Sequence, residues 1–288
     1  MDLAIIVGLD VISGIASLVL ISAGLAVIFG MMKIINLAHG EFLMLGAYAT
    51  VLSVSAGVNI WFAMLVIAPV FVGLVGVIVE RCLIQFLYGR LVDTMLATWG
   101  LSLVIVGATT MIFGNTIVGV SSPLGGFQVG AYQSSLYTPF LALMAVFLMT
   151  AVFGVMRYTR AGLIARAVMQ NPEMAATLGV NPARVYMATF GAGAAMSGLA
   201  GGLLAPVAGV VPTMGAAYIA KAFITVVGGG TSLLWGLISA SGLFGFINQI
   251  AAFLTTPVFG EVILFIAAVV LIRLLPTGIA GRFFKGRL

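Results

Sequence analysis

Apolar residues run through this chain in long stretches that charged residues interrupt rather than alternate with. No Asp, Glu, Lys or Arg occurs in 11–32, 42–79, 94–156, 185–220, 222–260 or 262–272. A water-facing helix would show a polar stripe, and an outer-membrane strand would alternate over about 10 residues. Neither pattern fits. Unbroken apolar runs of about 20 residues predict bilayer-crossing helices. The runs and their breaks predict helices over 4–30, 37–56, 61–79, 94–113, 138–156, 183–205, 216–228, 233–253 and 258–275. The segment 216–228, ending at Gly228-Gly229-Gly230, is too short to cross about 30 Å of hydrocarbon at about 1.5 Å per residue, and reads as a half-helix. The expected fold is an all-α polytopic membrane protein of eight or nine transmembrane helices, some short or broken, in one membrane domain over 1–288.

Composition agrees with the pattern and removes whole classes of function. The chain is 62% hydrophobic and 7% charged, against about 45–50% and about 25% in soluble domains. A soluble enzyme, a disordered scaffold and a nucleic-acid binder are excluded; membrane lipid is the expected surrounding.

Charge then sets an orientation. Eleven of the twelve Lys and Arg fall in four segments: Lys33; Arg81 and Arg90; Arg157, Arg160, Arg166 and Arg184; and Arg273, Arg282, Lys285 and Arg287. The breaks near 57–60, 114–137, 206–215 and 254–257 carry none. The positive-inside rule puts the four basic segments in the cytoplasm, the N-terminus outside and the C-terminus inside. An odd number of crossings satisfies this, and the net charge of +5 is explained by topology. Met1-Asp2-Leu3 lacks the basic start of a cleavable signal peptide and reads as the beginning of the first helix. The loop 114–137, with Ser121-Ser122-Pro123 and Gly125-Gly126, is the one long external connection, an ordered periplasmic lid or docking surface without a helix of its own.

Cys82 and His39 are the only residues of their kinds, so neither a disulfide nor a Cys/His metal or catalytic site is available. None of Lys33, Lys221 and Lys285 follows a glycine, so there is no G-K-[ST] phosphate loop. No catalytic role is expected, and any ATP and Mg must be held by another subunit.

The segment 157–184 carries the most local information. Asn171-Pro172-Glu173 is a helix start: Asn as N-cap, Pro at the first helical position, an acid in the first turn. Gly179 stands where a left-handed C′ glycine would end that helix, and Asn181-Pro182 begins the next. Gly162 to Gln170 reads as a separate short helix bearing Arg166. The segment is therefore two short capped helices between two spans. It is either an ordinary anchoring loop or a rigid lever for a cytoplasmic motor.

Three further features stand out. Ala194, Gly198 and Gly202 recur at four-residue spacing, which lets helices approach closely in lipid. Asn36, His39 and Glu41 begin an otherwise apolar run. Either they line a functional path, with a helix start near Asn36 aiming its N–H groups inward, or Glu41 pairs with Lys33 at the interface. Lys221 sits alone between two uncharged runs, either snorkelling to the external interface or facing a path, and Glu261 has the same ambiguity.

These residues resemble a known family. Ile34-Ile35-Asn36-Leu37-Ala38-His39-Gly40-Glu41 with Met44-Leu45-Gly46-Ala47-Tyr48 is similar to the signature of the branched-chain amino-acid type of ABC importer permease. Gly162-Leu163, Arg166-Ala167, Asn171, Ala175-Ala176, Leu178-Gly179-Val180, Phe190 and Gly198-Leu199-Ala200-Gly201 resemble its coupling loop and following span. Lys221-Ala222-Phe223, Gly228-Gly229 and Leu275-Pro276-Thr277-Gly278 resemble its C-terminal part.

The resemblance implies a permease subunit of a bacterial inner-membrane importer, working by alternating access. It would act with a second related permease, two cytoplasmic ATPases that hold ATP and Mg, and a periplasmic substrate-binding protein. It implies ATPase coupling through Gly162, Arg166, Asn171, Glu173 and Gly179. It makes Asn36, His39, Glu41 and Lys221 candidates for the translocation path. The implied cargo is a branched-chain or other hydrophobic amino acid. Phe86-Leu87-Tyr88-Gly89-Arg90, Leu96-Ala97-Thr98-Trp99-Gly100-Leu101-Ser102 and Leu234-Trp235-Gly236 resemble instead the urea and short-amide branch. An ATP-independent secondary transporter or channel is the competing class. It would bury paired ionisable residues, whereas the sequence offers Lys221 as an isolated charge.

Overall fold

The structure is a computed structural model that describes residues 2–130, 132–230 and 233–283. The runs become helices because lipid offers no partner for backbone N–H and C=O groups, and a helix satisfies them internally. In order they are α1 (Asp2–Met32), α2 (His39–Ser55), α3 (Ile60–Phe62), α4 (Ala68–Cys82) and α5 (Leu91–Phe113). Then follow the strands β1 (Gly126–Val129) and β2 (Tyr132–Ser135), and α6 (Tyr137–Tyr158), α7 (Arg160–Gln170) and α8 (Pro172–Thr177). The last are α9 (Pro182–Leu204), α10 (Met214–Gly229), α11 (Leu233–Leu254), α12 (Pro257–Leu274) and α13 (Gly278–Phe283).

Among the described residues, seven helical stretches are long and apolar enough to cross a membrane. They are Asp2–Met32, Ile60–Cys82, Leu91–Phe113, Tyr137–Tyr158, Pro182–Leu204, Leu234–Leu254 and Pro257–Arg282. The other two expected segments are shorter, 17 residues for α2 and 16 for α10. The chain is a multi-pass membrane protein.

The stretch Ile60–Cys82 runs through a π-helical turn at Ala63–Ile67 between α3 and α4. Pro69 accounts for it: proline lacks the N–H owed to Leu65, and its ring crowds that carbonyl, so the ladder widens for one turn. The apolar run shows no sign of this in its hydropathy.

The described chain gathers into two compact units. One holds Ala23–Ser121 and Ala151–Ala220. Within it α2, α4 and α9 pack on one another most extensively. A buried cluster of Ile28, Ile34, Phe42, Val72, Ile84, Phe190 and Ala194 fills the centre. α9 is the most enclosed of the long helices. Its small residues explain why: a Cβ on Gly198 would stand 2.7 Å from the Ala68 carbonyl oxygen, and one on Gly201 would strike the Leu43 carbonyl. The spacing of Ala194, Gly198 and Gly202 thus serves close helix approach, as expected in lipid. An isolated bridge, Val118 to Val210, ties the start of the 114–137 connection within the same unit.

The other unit takes in the residues up to Ser22, Ser122–Thr150 and the chain from Lys221 onward. Leu18, Ala240, Phe244, Leu264, Ala268 and Leu271 form its core, with α11 packed on α12. It also holds the antiparallel hairpin of β1 and β2, in register from Gly126↔Ser135 to Val129↔Tyr132. The hairpin lies in the 114–137 connection and had no signal in the sequence beyond the glycines.

Candidate functional site

The 157–184 segment is built from interlocked helix ends. α6 closes at Tyr158, and Thr159 turns the chain by serving both neighbours. Its hydroxyl donates to the Val155 carbonyl at 2.7 Å and accepts from the Gly162 N–H at 3.0 Å. Gly162 is pressed onto the end of α6, where an added Cβ would meet the Val155 carbonyl oxygen and lie 2.6 Å from the Met156 Cα. Arg166 reaches back from α7 and donates from Nη1 to the Met156 carbonyl at 2.6 Å. That carbonyl lies in the last turn of α6, where it has no intrahelical donor and the helix dipole favours a cation.

Asn171 then caps α8, its Oδ1 accepting from the Met174 N–H at 2.9 Å, with Pro172 following. Gly179 has φ +86°. Its N–H donates to the Ala176 carbonyl at 3.0 Å while the Val180 N–H donates to Ala175 at 3.1 Å. This is the paired closure of a Schellman motif, for which only glycine is unstrained. Asn181 accepts from the Arg184 N–H at 3.3 Å to start α9. Glu173 lies exposed in the first turn of α8, beside Met174 (60% exposed) and Leu178 (78% exposed). The short helices are fixed at every end and present an apolar outer surface.

Earlier in the chain, the Tyr88 hydroxyl donates to the Glu80 carboxylate, and its ring meets Tyr186 edge-on at 4.9 Å between centroids. Burial first, and then the hydrogen bond and charge of Glu80, raise the Tyr88 pKa, which keeps the phenol as the donor. The 83–90 turn is thereby fastened to the first turns of α9.

The second site is a buried polar cluster at the junction of α1 and α2. α1 ends at Met32, Lys33 takes φ +56°, and α2 begins at His39. In the non-helical link Asn36 forms an Asx turn, its Oδ1 accepting from the Ala38 N–H at 3.0 Å. The Leu37 N–H is satisfied by Thr98 Oγ1 at 3.0 Å. His39 Nδ1 lies 3.2 Å from Ser197 Oγ, whose hydroxyl donates to the Gly193 carbonyl at 2.9 Å. With that proton committed, Ser197 accepts, and the Nδ1 of His39 is the donor.

Glu41 is 2% exposed and accepts from Ser102 Oγ at 2.9 Å through Oε1. Gly215, at the start of α10, lies against its carboxylate, and a Cβ there would collide with Oε2. Among the described residues, two buried polar atoms of this cluster have no hydrogen-bond partner: Glu41 Oε2 and Asn36 Nδ2. The expected pairing of Glu41 with Lys33 is not made. Lys33 is exposed in the link while Glu41 points into the helix packing, because the first turn of α2 buries its whole circumference.

Lys221 also departs from expectation. It is not an isolated charge: Nζ stands 2.5 Å from Glu261 Oε1, joining α10 to α12. Forty residues separate the two in sequence, and hydropathy cannot show that they meet.

The structure thus brings Asn36, His39 and Glu41 into one cluster, and Gly162, Arg166, Asn171 and Gly179 into one set of capped turns. Lys221 belongs to the other unit. Thr98, Ser102, Ser197 and Gly215 were missed because a small polar residue inside an apolar helix looks like packing. Thr159 was missed although a threonine three residues before Gly162 is a usable N-cap signal.

Residues 8–275 match the family described as "Branched-chain amino acid transport system / permease component". The high-affinity branched-chain amino acid transport system permease protein LivH of Escherichia coli K12 is 29% identical over 280 residues, covering 91% of each chain. The corresponding protein BraD of Pseudomonas aeruginosa is 27% identical over 289 residues, again 91% of each. A probable LivH of Methanocaldococcus jannaschii is 23% identical, over 93% of this chain and 90% of the relative. No solved structure matches this chain.

Proposed function

This chain belongs to the branched-chain amino acid transport system permease family, and we propose that it carries branched-chain or other hydrophobic amino acids inward as one permease of an ABC importer. The relatives named for that cargo, matched along nine-tenths of both chains, support the reading. The observation that carries it is the 157–184 segment. Two short helices, capped at their starts by Thr159 and Asn171 and closed after α8 by the glycine turn at Gly179, with Met174 and Leu178 exposed, suit a lever seated on a moving partner.

In this reading the segment is cytoplasmic, the N-terminus is outside and the C-terminus inside. Two partner ATPases bind ATP and Mg, and a second related permease completes the membrane part. A loaded binding protein docks outside, on a face that includes 114–137. ATP-driven closure moves the coupling residues Gly162, Arg166, Asn171, Glu173 and Gly179, and alternating access follows. Each partner must bind one state of the permease better than the other to shift it. Asn36, His39 and Glu41 are path residues in one unit, and Lys221 is a path candidate in the other.

The test is uptake into proteoliposomes holding the whole importer with its binding protein. Labelled leucine, isoleucine and valine should accumulate with ATP inside and not without it. Uptake of urea or a short amide in their place would overturn the cargo. Uptake that persists without the ATPases would overturn the importer class in favour of a secondary transporter or channel.

A further inference from the structure

The link between α1 and α2 leaves two fixed polar groups without partners, and their chemistry is complementary. Asn36 Nδ2 is a donor with no acceptor, and Glu41 Oε2 is an acceptor with no donor. Three hydroxyls, of Ser22, Tyr48 and Ser241, are also unpaired among the described residues. A hydroxyl proton rotates freely, so those groups do not fix the direction of a missing partner. An amide and a carboxylate do not rotate away from their need, and a buried carboxylate is the costlier of the two. Both sit in helix packing that is otherwise carefully satisfied, with Thr98 serving Leu37 and Ser102 serving Glu41 Oε1.

A zwitterionic α-amino acid presents the opposite pair, a carboxylate that accepts and an ammonium that donates. The surroundings provide for its side chain as well. One turn beyond Glu41 and Ser102 stand Met44 and Ile105, and Met214 directly precedes Gly215; all three pack with Tyr48 in one apolar cluster. Methionine adapts its shape to branched or unbranched apolar groups.

We propose that Asn36 and Glu41 form the head-group subsite of the permease, Asn36 Nδ2 donating to the carboxylate of an apolar amino acid and Glu41 accepting from its ammonium, with Met44, Ile105 and Met214 against the side chain. This rests on the reading of the chain as an amino-acid importer permease and assigns the roles within it. Here Gly215 covers the Glu41 carboxylate, so the subsite is closed and opens by withdrawal of the start of α10. Ser102 orients Glu41 as a positioning residue.

The experiment uses the complete importer in proteoliposomes, with leucine-loaded binding protein as the probe. It measures leucine uptake and ATP hydrolysis together. Glu41→Gln keeps the shape and removes the charge. Asn36→Asp keeps an Oδ1 that can accept from Ala38 and replaces the unpaired donor with a second, negatively charged acceptor that would repel a carboxylate. Each variant should lose leucine uptake at least ten-fold while hydrolysis stimulated by loaded binding protein stays within two-fold. Ser102→Ala should lose two- to five-fold.

Should Glu41→Gln fail to assemble, Asn36→Asp alone decides. Uptake within two-fold of wild type in either assembled variant overturns the subsite, and so does parallel loss of uptake and hydrolysis. In both cases wild-type leucine uptake leaves the importer reading standing. A wild-type importer that moves no amino acid sinks that reading, and the subsite with it.

Discussion

The 157–184 segment and the Asn36–Glu41 cluster are both short polar interruptions of an apolar chain, and they treat their polar groups in opposite ways. In the first, the side-chain caps and the glycine turn are answered within ten residues. Thr159 serves Val155 and Gly162, Arg166 serves Met156, Asn171 serves Met174, and the N–H groups of Gly179 and Val180 serve Ala176 and Ala175. In the second, partners come from helices 61 and 158 residues away, and two atoms have none. Local closure makes a segment that moves as a piece. Incomplete closure in a buried place makes one that awaits a ligand. The difference separates a part suited to transmitting motion from a part suited to meeting cargo.

The sharpest break to this contrast is Gly162→Val. Its side chain would enter the backbone of α6 at Val155 and Met156, where nothing flexible can give way. Overpacking of this kind costs about 1–3 kcal/mol, placed at the joint between span and lever. Co-purified ATPase should fall several-fold. A fully assembled complex would show that α7 is not held against α6 as described.

Gly179→Val comes next. A β-branched residue at φ +86° is strained by about 1–3 kcal/mol, in a turn with open space around it. The complex should assemble and lose most of its substrate-stimulated ATP hydrolysis. Wild-type stimulation would remove the lever.

Lys221 offers a contrast of charge. The pair with Glu261 leaves 19% and 48% of its side chains exposed, and an ionisable group left unpaired on a membrane helix is costly. Lys221→Met should lower the melting temperature of the purified complex by a few degrees by leaving Glu261 alone. Lys221→Met with Glu261→Gln should recover it. A double variant no better than the single one would mean that the two charges are not coupled.

The mildest is Asn171→Ala, which removes one cap bond for about 0.5–2 kcal/mol. Stimulated hydrolysis should fall by less than in Gly179→Val, because Pro172 and the turn at Gly179 still hold α8. Equal or greater loss would invert the ranking and make the N-cap the critical closure.

What the sequence conveyed followed the same division. Caps and breaks that act within four residues were readable: Asn171, Gly179 and Asn181 stand where their residue types predicted, and the span expected over 183–205 is Pro182–Leu204. The π-helical turn needed Pro69 to be weighed inside an apolar run. The partners of His39 and Glu41 were unreadable, since Ser197 and Ser102 carry no local mark that distinguishes them from packing serines. The pair of Lys221 and Glu261 was hidden for the same reason, each charge looking solitary until the helices are folded together. Orphaned atoms such as Asn36 Nδ2 are a property of the packed state alone.

The contrast is tested most directly by the number of ATP molecules hydrolysed per leucine imported, measured side by side for wild type, Gly179→Val and Glu41→Gln in proteoliposomes. Breaking the lever should lower stimulated hydrolysis and uptake together, leaving the ratio of Gly179→Val within two-fold of wild type. Breaking the head-group contact should leave hydrolysis running without cargo, raising the ratio of Glu41→Gln at least five-fold. Two variants with the same ratio would contradict the division of labour between the two regions.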